Sequence, residues 1–575
     1  MKRLPFFDNP VLRGQLPMWR ARLVLILIFV GFAALAGRAL FLQGISTNFL
    51  QQQGERRYER TLVLTATRGK VLDRNGVVLA SSVPARAIWA IPDDTKLANA
   101  GQIQALAGLL DIPEVDLRHR LNDDHNFVYL KHQVPMDVAD KIKDLKIPGV
   151  HQQPEFMRYY PEGDVTAHIV GFDNIEDQGQ EGVELAFNKQ LSGKDGSRRV
   201  IKDRLGRVIE DVQAVNPPVN GRDLTLSIDT RIQYLVYKAL QDAMIQHKAR
   251  AASGVVLDAK TGEILAMSSL PTFDPNHRDT LPIDALRNRT VTDTFEPGSI
   301  MKPFTAALAL DLGRITTNTM FATGNGRFQY QGNTITDVER GGNGTIDVGD
   351  VLKFSSNIGM TLISEKLEPH EMWDCFTALG LGQAPQIGFP GVAPGRLRPW
   401  QRWRLIEKAT MAYGYGLSLS LLQAAHAYTV FARDGDMVSL SLVKRDSAPT
   451  SVRVYSSRTA ALIRSMLEAA AADGSKISVP GYRVAGKSGT ARMIVNGRYS
   501  LQSYRSSFVG FAPVSNPRII VAISVEDPKV GGYYGAVVSG PVFARIVGGT
   551  LRMLGVQPDA PLDATVAMTN SEAVR

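Results

Sequence analysis

The sequence is poor in the residues that build covalent or metallic frameworks. Cys375 is its only cysteine in 575 residues. No intrachain disulfide can form, and no cysteine cluster can hold a metal. Met372-Trp373 and Phe376 flank Cys375 in the pattern of an amphipathic core helix, which points to packing rather than catalysis. The nine histidines are scattered and form no H-E-x-x-H pair. There is no G-x-S-x-G elbow and no internal repeat. Nothing in the pattern calls for a metal or a cofactor. Charge of neither sign dominates: the net value of +9 is mild for the length and leaves no nucleic-acid footprint. Disorder is excluded by 44% hydrophobic and 21% charged residues. The length predicts two or more folded units.

Only one stretch is long and apolar. Leu23 to Gly37 is unbroken, and Ala39–Leu42 extends it past Arg38. About twenty helical residues cross a hydrocarbon core. Lys2, Arg3, Arg13, Arg20 and Arg22 precede the run against one acid, Asp8. The positive-inside rule then predicts a cytoplasmic tail over 1–22, a single-pass anchor over 23–43, and export of the remainder. Ala34-Leu35-Ala36 offers a rival reading as a cleavage site. The long leader and the apolar residues beyond it favour an uncleaved anchor.

Residues 44–224 read as a mixed, turn-rich region with no nucleophile–base pair. Arg68–Ala80 is strand, Asn-Gly turn, strand. Helical spacing appears near Ile103–Leu110 and Pro135–Leu145. From 225, the strand Leu224–Ile228 runs into Asp229, a helix cap. A hairpin follows over Gly254–Leu257 and Ile264–Met267. Helical sequence fills about 285–435. A meander then returns over Met493–Val495, an Asn496-Gly497 turn, Ser507–Phe511 and Arg518–Val525. Strands at both ends of a helical middle predict one α+β domain over 225–555, its sheet completed from both termini. Residues 556–575 read as a loose tail.

Three short motifs occur in one order. Ser299-Ile300-Met301-Lys302 follows Glu296-Pro297-Gly298 and opens a helical run. Residues i and i+3 share a helical face, so the Lys302 amine can reach Ser299. A serine needs such a neighbouring base to act as nucleophile. Ser355-Ser356-Asn357 puts a hydroxyl and a carboxamide two apart, facing one way if the chain is extended or turned. Lys487-Ser488-Gly489-Thr490 reads as a strand with a cation, two hydroxyls on one face and a glycine that admits a substrate backbone.

Each motif has decoys. Ser441-Leu442-Val443-Lys444 sits in an alternating, strand-like run. Lys260-Thr261-Gly262 is a hairpin turn followed by Glu263. Ser46-Thr47-Asn48 lies beside the anchor. Gly481–Ser488 satisfies the P-loop pattern, but Pro480 precedes it and a hairpin follows, where a nucleotide site needs a strand before and a helix after.

The ordered trio resembles the penicillin-recognising serine enzymes. The likeness extends through Arg68–Ala80, Arg158-Tyr159-Tyr160-Pro161, Gly179–Glu184, Asp203–Asp211, Arg287-Asn288-Arg289, Phe295–Ser299 and Tyr413-Gly414-Tyr415-Gly416. In these the chain is similar to class B penicillin-binding proteins of the septal, FtsI type, or a close paralogue. Many relatives carry threonine where this chain has Ile300. The resemblance implies an elongated pedestal over 44–224 and a transpeptidase domain with an all-helical subdomain. It implies that Ser299 attacks the penultimate D-alanine of a peptidoglycan stem peptide, with Lys302 as base. Ser355 relays a proton, Asn357 holds the peptide, and Lys487, Ser488, Gly489 and Thr490 bind the terminal carboxylate. Tyr415, Arg492 and Tyr533 line the pocket. β-Lactams trap the serine. Implied partners are the inner membrane, a SEDS-type glycan polymerase and other division proteins. A β-lactamase of class A needs an E-x-x-L-N glutamate after the second motif, and a bifunctional enzyme needs E-D-x-x-F-x-x-H. Neither is present. A D,D-carboxypeptidase, or a scaffold or sensor that only acylates, remains the alternative.

Overall fold

In a computed structural model, the structure describes residues 17–45, 59–122, 127–202, 208–278, 282–338, 341–495 and 497–560. Lys2, Arg3, Asp8, Arg13, Ser46-Thr47-Asn48, residues 203–207, Asn496 and the tail from 561 lie outside the described residues.

The chain divides into two compact units. The first comprises residues 1–66 and 194–219. Its N-terminal helix, Met18–Leu40, continues through a π turn at Phe41–Ile45. Within Met18–Gln43 the most apolar 18-residue window has a mean hydropathy of 2.4 and none of it is buried, so the helix is long and apolar enough to cross a membrane. The same unit holds a three-stranded antiparallel sheet in which Gly196–Lys202 is central to Glu59–Leu64 and Val208–Asn216.

The second unit holds residues 67–193 and 220 onward. In its N-terminal part the predicted hairpin is present, with Val71 opposite Ala80. Val78–Ala90 pairs with both Val128–Pro135 and Val150–Tyr159. Helices Ala100–Leu110 and Met136–Asp144 bury Leu106, Leu110 and Ile142 against that sheet. Asn99 closes the first of them with a capping box. Three of the sequence segments quoted above converge here on one carboxylate. Glu184 accepts from Arg68 Nε at 2.6 Å and from Arg158 Nε at 2.7 Å, and all three side chains are inaccessible to water. Arg68 Nη1 also reaches Asn188 Oδ1 at 2.8 Å.

The C-terminal part is an antiparallel five-stranded sheet. We label its strands β1 (Ala251–Asp258), β2 (Ile264–Leu270), β3 (Ala485–Val495), β4 (Arg498–Ala512) and β5 (Ile519–Glu526). The order is β2-β1-β5-β4-β3, so strands from both ends of the domain interleave as the sequence predicts. Every residue of β1, β2 and β5 is buried, because helices cover both faces. One face receives α1 (Thr230–His247), capped by Asp229, and the C-terminal helix Gly535–Met553. Against the other face pack helices Arg289–Thr292 and Leu421–Ala427, and the same core takes in α2 (Lys302–Asp311) and α3 (Asn357–Ser364) beyond them. Phe304, Tyr428, Phe431 and Tyr455 form an aromatic cluster at its centre. Cys375 lies beneath it, its thiol 3.1 Å from the Tyr455 hydroxyl and pushed up to about 12 by burial. The middle is not wholly helical. Phe321–Gly324 pairs with Gly344–Ile346, and Arg327–Tyr330 with Asn333–Thr336. Gly324, Gly326 and Gly332 at positive φ supply turns that helical periodicity does not report.

Glu184→Ala leaves two buried guanidinium groups without a counter-charge. The expected loss is about 3–5 kcal/mol. The midpoint of chemical denaturation measures it, and a midpoint equal to wild type would show the cluster contributes nothing.

Candidate active site

Ser299 sits in a 3-10 turn, Gly298–Met301, that leads into α2, with Pro303 in that helix's first turn. Gly298 has φ +58°, and its N–H donates to the Gly414 carbonyl at 3.0 Å. Gly414 lies at φ +89°, where a Cβ would collide with the Gly298 backbone. Three more bonds fasten the turn. The Glu296 carboxylate accepts from the Gly416 N–H at 2.8 Å and the Tyr499 hydroxyl at 2.8 Å. The buried Tyr428 hydroxyl donates to the Ile300 carbonyl at 2.9 Å.

Ser355 joins the serine to the lysine. Its hydroxyl donates to Ser299 Oγ at 2.9 Å. Lys302 Nζ donates to Ser355 Oγ at 3.1 Å and to the Ser355 carbonyl. The sequence spacing points to a direct Lys302–Ser299 contact; the hydrogen-bonded path runs through Ser355 instead. Ser355 adopts φ +58°, unusual for a residue with a Cβ. The next residues hold it there. Ser356 caps α3 by accepting from the Gly359 N–H at 2.8 Å and donates to Asp337 Oδ2 at 2.7 Å. Asp337 Oδ1 accepts from the N–H groups of Asn357, 2.6 Å, and Ile358, 3.0 Å. Sequence reasoning missed Asp337, which precedes the motif by a loop and carries no local signature. Of the two conformations that the sequence leaves open, extended or turned, Asn357 does not take the extended one. It is the first residue of α3, and its Nδ2 donates to the Thr336 carbonyl at 2.9 Å.

Lys302 is fully buried, and burial depresses its pKa well below the ordinary lysine value; the neighbouring Lys487 charge adds to this. Lys487 lies on β3, opposite Val509, and is lowered to about 8 by burial. β3 is the edge strand, so one side of it is unpaired. Ser475 donates to Ser488 Oγ at 3.2 Å, and Thr490 Oγ1 accepts from the Gly535 N–H at 3.0 Å. A Cβ on Gly489 would meet Ile300 Cγ2 at 3.0 Å and the Pro297 carbonyl at 3.1 Å, so the nucleophile turn lies directly against this strand.

The three motifs therefore meet. The proposed wall residues are more dispersed. Tyr415 packs near Tyr499, centroids 6.4 Å apart, and Arg492 is exposed on β3. Tyr533 stacks on Tyr504 at 4.0 Å, and its carbonyl accepts from Ser506, the β4 partner of Thr490. The decoys fall elsewhere. Ser441 Oγ donates to its own loop at Val443, Lys444 binds the Arg74 carbonyl, and Lys260–Gly262 is the β1–β2 turn. Gly486–Ser488 of the P-loop pattern lie within β3 and open no helix. Among the described residues no group of three or more His, Cys, Asp or Glu could hold a metal.

A serine joined through a second serine to a buried, depressed lysine, beside a cationic edge strand, defines a serine acyl-transfer site. Residues 252–548 match the penicillin-binding protein transpeptidase domain, and residues 63–226 the penicillin-binding protein dimerisation domain. The chain belongs to the penicillin-binding protein transpeptidase family. It is 42% identical to the probable peptidoglycan D,D-transpeptidase PenA of Neisseria gonorrhoeae, covering 96% of both chains. It is 40% identical to the peptidoglycan D,D-transpeptidase FtsI of Escherichia coli K12, covering 94% of this chain and 93% of that one. The apo transpeptidase domain of Burkholderia pseudomallei penicillin-binding protein 3 superposes with a TM-score of 0.54 at 51% identity, over 58% of this chain and 98% of that one.

Gly414→Ala forces a Cβ into the Gly298 backbone at a positive φ. The expected result is on the order of tenfold or more slower penicillin labelling of Ser299. Stopped-flow acylation measures it, and a rate equal to wild type would show the turn is not held this way.

Proposed function

We propose that the protein is a peptidoglycan D,D-transpeptidase that works through a Ser299 acyl-enzyme. The observation that carries this reading is the hydrogen-bonded path from Ser299 through Ser355 to a lysine whose burial favours the neutral amine. Ser299 Oγ attacks the penultimate D-alanine carbonyl. Its proton passes by way of Ser355 to Lys302. The N–H groups of Ser299 and Thr490 receive the oxyanion, each such donor being worth about 10²–10³ in rate. Lys487, Ser488 and Thr490 bind the terminal carboxylate, Gly489 admits the backbone, and Asn357 holds the peptide. Tyr415, Arg492 and Tyr533 wall the pocket. Ser355 returns the proton to the departing D-alanine amine. An amine of a second stem peptide then takes the acyl group. β-Lactams acylate the same serine.

The same reading extends to the cell. The apolar helix is a single-pass anchor in the inner membrane, and the basic residues before it support a cytoplasmic N-terminus. Residues 44–224 serve as pedestal, 225–555 as the catalytic domain and 556–575 as a tail. Septal cell-wall synthesis beside a SEDS-type polymerase and other division proteins is the setting that the likeness to FtsI supports.

Mass spectrometry of the full-length chain after penicillin treatment is expected to show one adduct, on the Ser299 peptide, and none in Ser299→Ala. An adduct at Ser441, or none, overturns the reading. Ser355→Ala should slow acylation by about 10²–10⁴. The pH profile carries two signs. Only neutral Lys302 accepts a proton, so the rate rises as pH climbs through its depressed pKa. Only charged Lys487 binds a carboxylate, so the rate falls above about pH 8. Lys487→Arg keeps the charge, so the alkaline limb should disappear; its persistence would assign that limb to another group.

A further inference from the structure

The strand Val150–Tyr159 pairs with Val78–Ala90 on one side. Among the described residues no strand pairs with its other side, so it forms an edge of its sheet. Pro154 interrupts the row of donors along it, since proline has no N–H. The stretch Val150–Gln153 lies open ahead of that proline.

A cavity of about 480 Å³ opens beside this stretch. Helix Met136–Asp144 and the turn after it line its far side, and Arg86 of the neighbouring strand completes the lining. Its aliphatic walls, Ile142 and Ile147, are already packed in the core behind them, so what the cavity offers is charge. Lys143 and Lys146 are exposed and Arg86 is half-buried. Among the described residues none of these three side chains has a hydrogen bond or ion pair. Asp140 is the one carboxylate in the lining, and it too has no partner. Three cations against one acid leave the cavity positive. Lys143 has a local reason to be there, because it lies in the last turn of its helix, where free carbonyls favour a cation. Arg86 stands on a strand and has no such reason.

The two features select the same ligand. Unneutralised positive charge selects an anion. A free sheet edge selects an extended backbone that can hydrogen-bond along it. A phosphate or a lipid headgroup uses the charge alone and leaves the edge idle.

We propose that this cleft docks an acidic, extended segment of a partner polypeptide, its backbone along Val150–Gln153 and its carboxylates against Arg86, Lys143 and Lys146. No residue of the lining belongs to the three motifs, so the proposal stands apart from the acyl-transfer reading.

The test uses the full-length chain in detergent and three fluorescently labelled decapeptides, read by anisotropy. The first alternates glutamate with valine. The second replaces each glutamate by glutamine. The third is the acidic peptide with alternate backbone nitrogens methylated, which blocks strand pairing. The acidic peptide is expected to bind on the order of tenfold tighter than either of the others at low salt. Its advantage over the glutamine peptide should shrink in high salt and vanish when Lys143→Glu and Lys146→Glu are combined, yet survive Lys143→Arg. The variants should label Ser299 with penicillin at the wild-type rate, which shows that they are folded. Equal binding of the acidic and glutamine peptides, or a preference that survives the double charge reversal, overturns the cleft. Undiminished binding of the methylated peptide, or displacement of the acidic peptide by inorganic polyphosphate more readily than by its own unlabelled copy, means that charge alone is read and overturns the polypeptide occupant.

Discussion

Two ammonium groups in one water-poor pocket cannot both keep their charge without large cost. Lys302 and Lys487 are both buried, each next to the other's field. Burial penalises both cations, and their mutual repulsion penalises the doubly charged state again. The pair escapes by dividing the work. Lys302, the more strongly depressed, yields its proton, the state that the proposed base requires. Lys487 stays a cation to about pH 8, the charge that the proposed carboxylate site requires. A free lysine, at about 10.4, would do only the second task at neutral pH. The rest of the site keeps these two amines dry and apart.

That requirement explains the strained backbone around them. Ser355 must present its hydroxyl to Ser299 and its carbonyl to Lys302 together, which puts it at φ +58°. Such a conformation costs of order 1–3 kcal/mol. Asp337 offsets this by accepting three bonds around the start of α3. On the other side, Gly414 approaches the Gly298 backbone too closely to carry a side chain, and Gly535 does the same against Gly489 and Ser507. The nucleophile turn is thus clamped between β3 and the Tyr413–Gly416 loop by absent Cβ atoms and a few polar bonds.

Much of this was legible in residue order. The sheet closed from both termini follows from apolar alternation at the two ends of the domain, and the membrane-length helix from one uninterrupted run. The S-x-x-K pair could be read because i,i+3 is a local relation. What was illegible was non-local. Asp337 acts across a loop, the Ser356 cap that places Asn357 at the start of α3 has no local signature, and the hydrogen-bonded path from Ser299 through Ser355 to Lys302 needs three-dimensional closure. The segments around Arg68, Arg158 and Glu184 looked like motifs, but only the fold reveals them as one buried ion cluster. Ile300 looked like a free position; it packs against Gly489, so its apolar methyl helps seat the turn on the strand.

The same accounting bears on what the acyl-enzyme does next. Hydrolysis needs a base to activate water, and a carboxylate is the group best suited to stay ionised for it. The two nearest motif carboxylates are occupied. Glu296 accepts from Gly416 and Tyr499, and Asp337 from Ser356, Asn357 and Ile358. Both are committed to bonds that hold the turn or α3. The remaining base, Lys302, is reached through Ser355, and once its proton has left with the D-alanine amine that relay is free to accept another. Water thus finds that relay but no free carboxylate, whereas an incoming amine brings greater nucleophilicity of its own and loses its proton into the same relay. The polar scaffold that fixes the serine in place thus ties up its carboxylates, which leaves the relay as the shared base and favours the acceptor with the better intrinsic nucleophile, an amine.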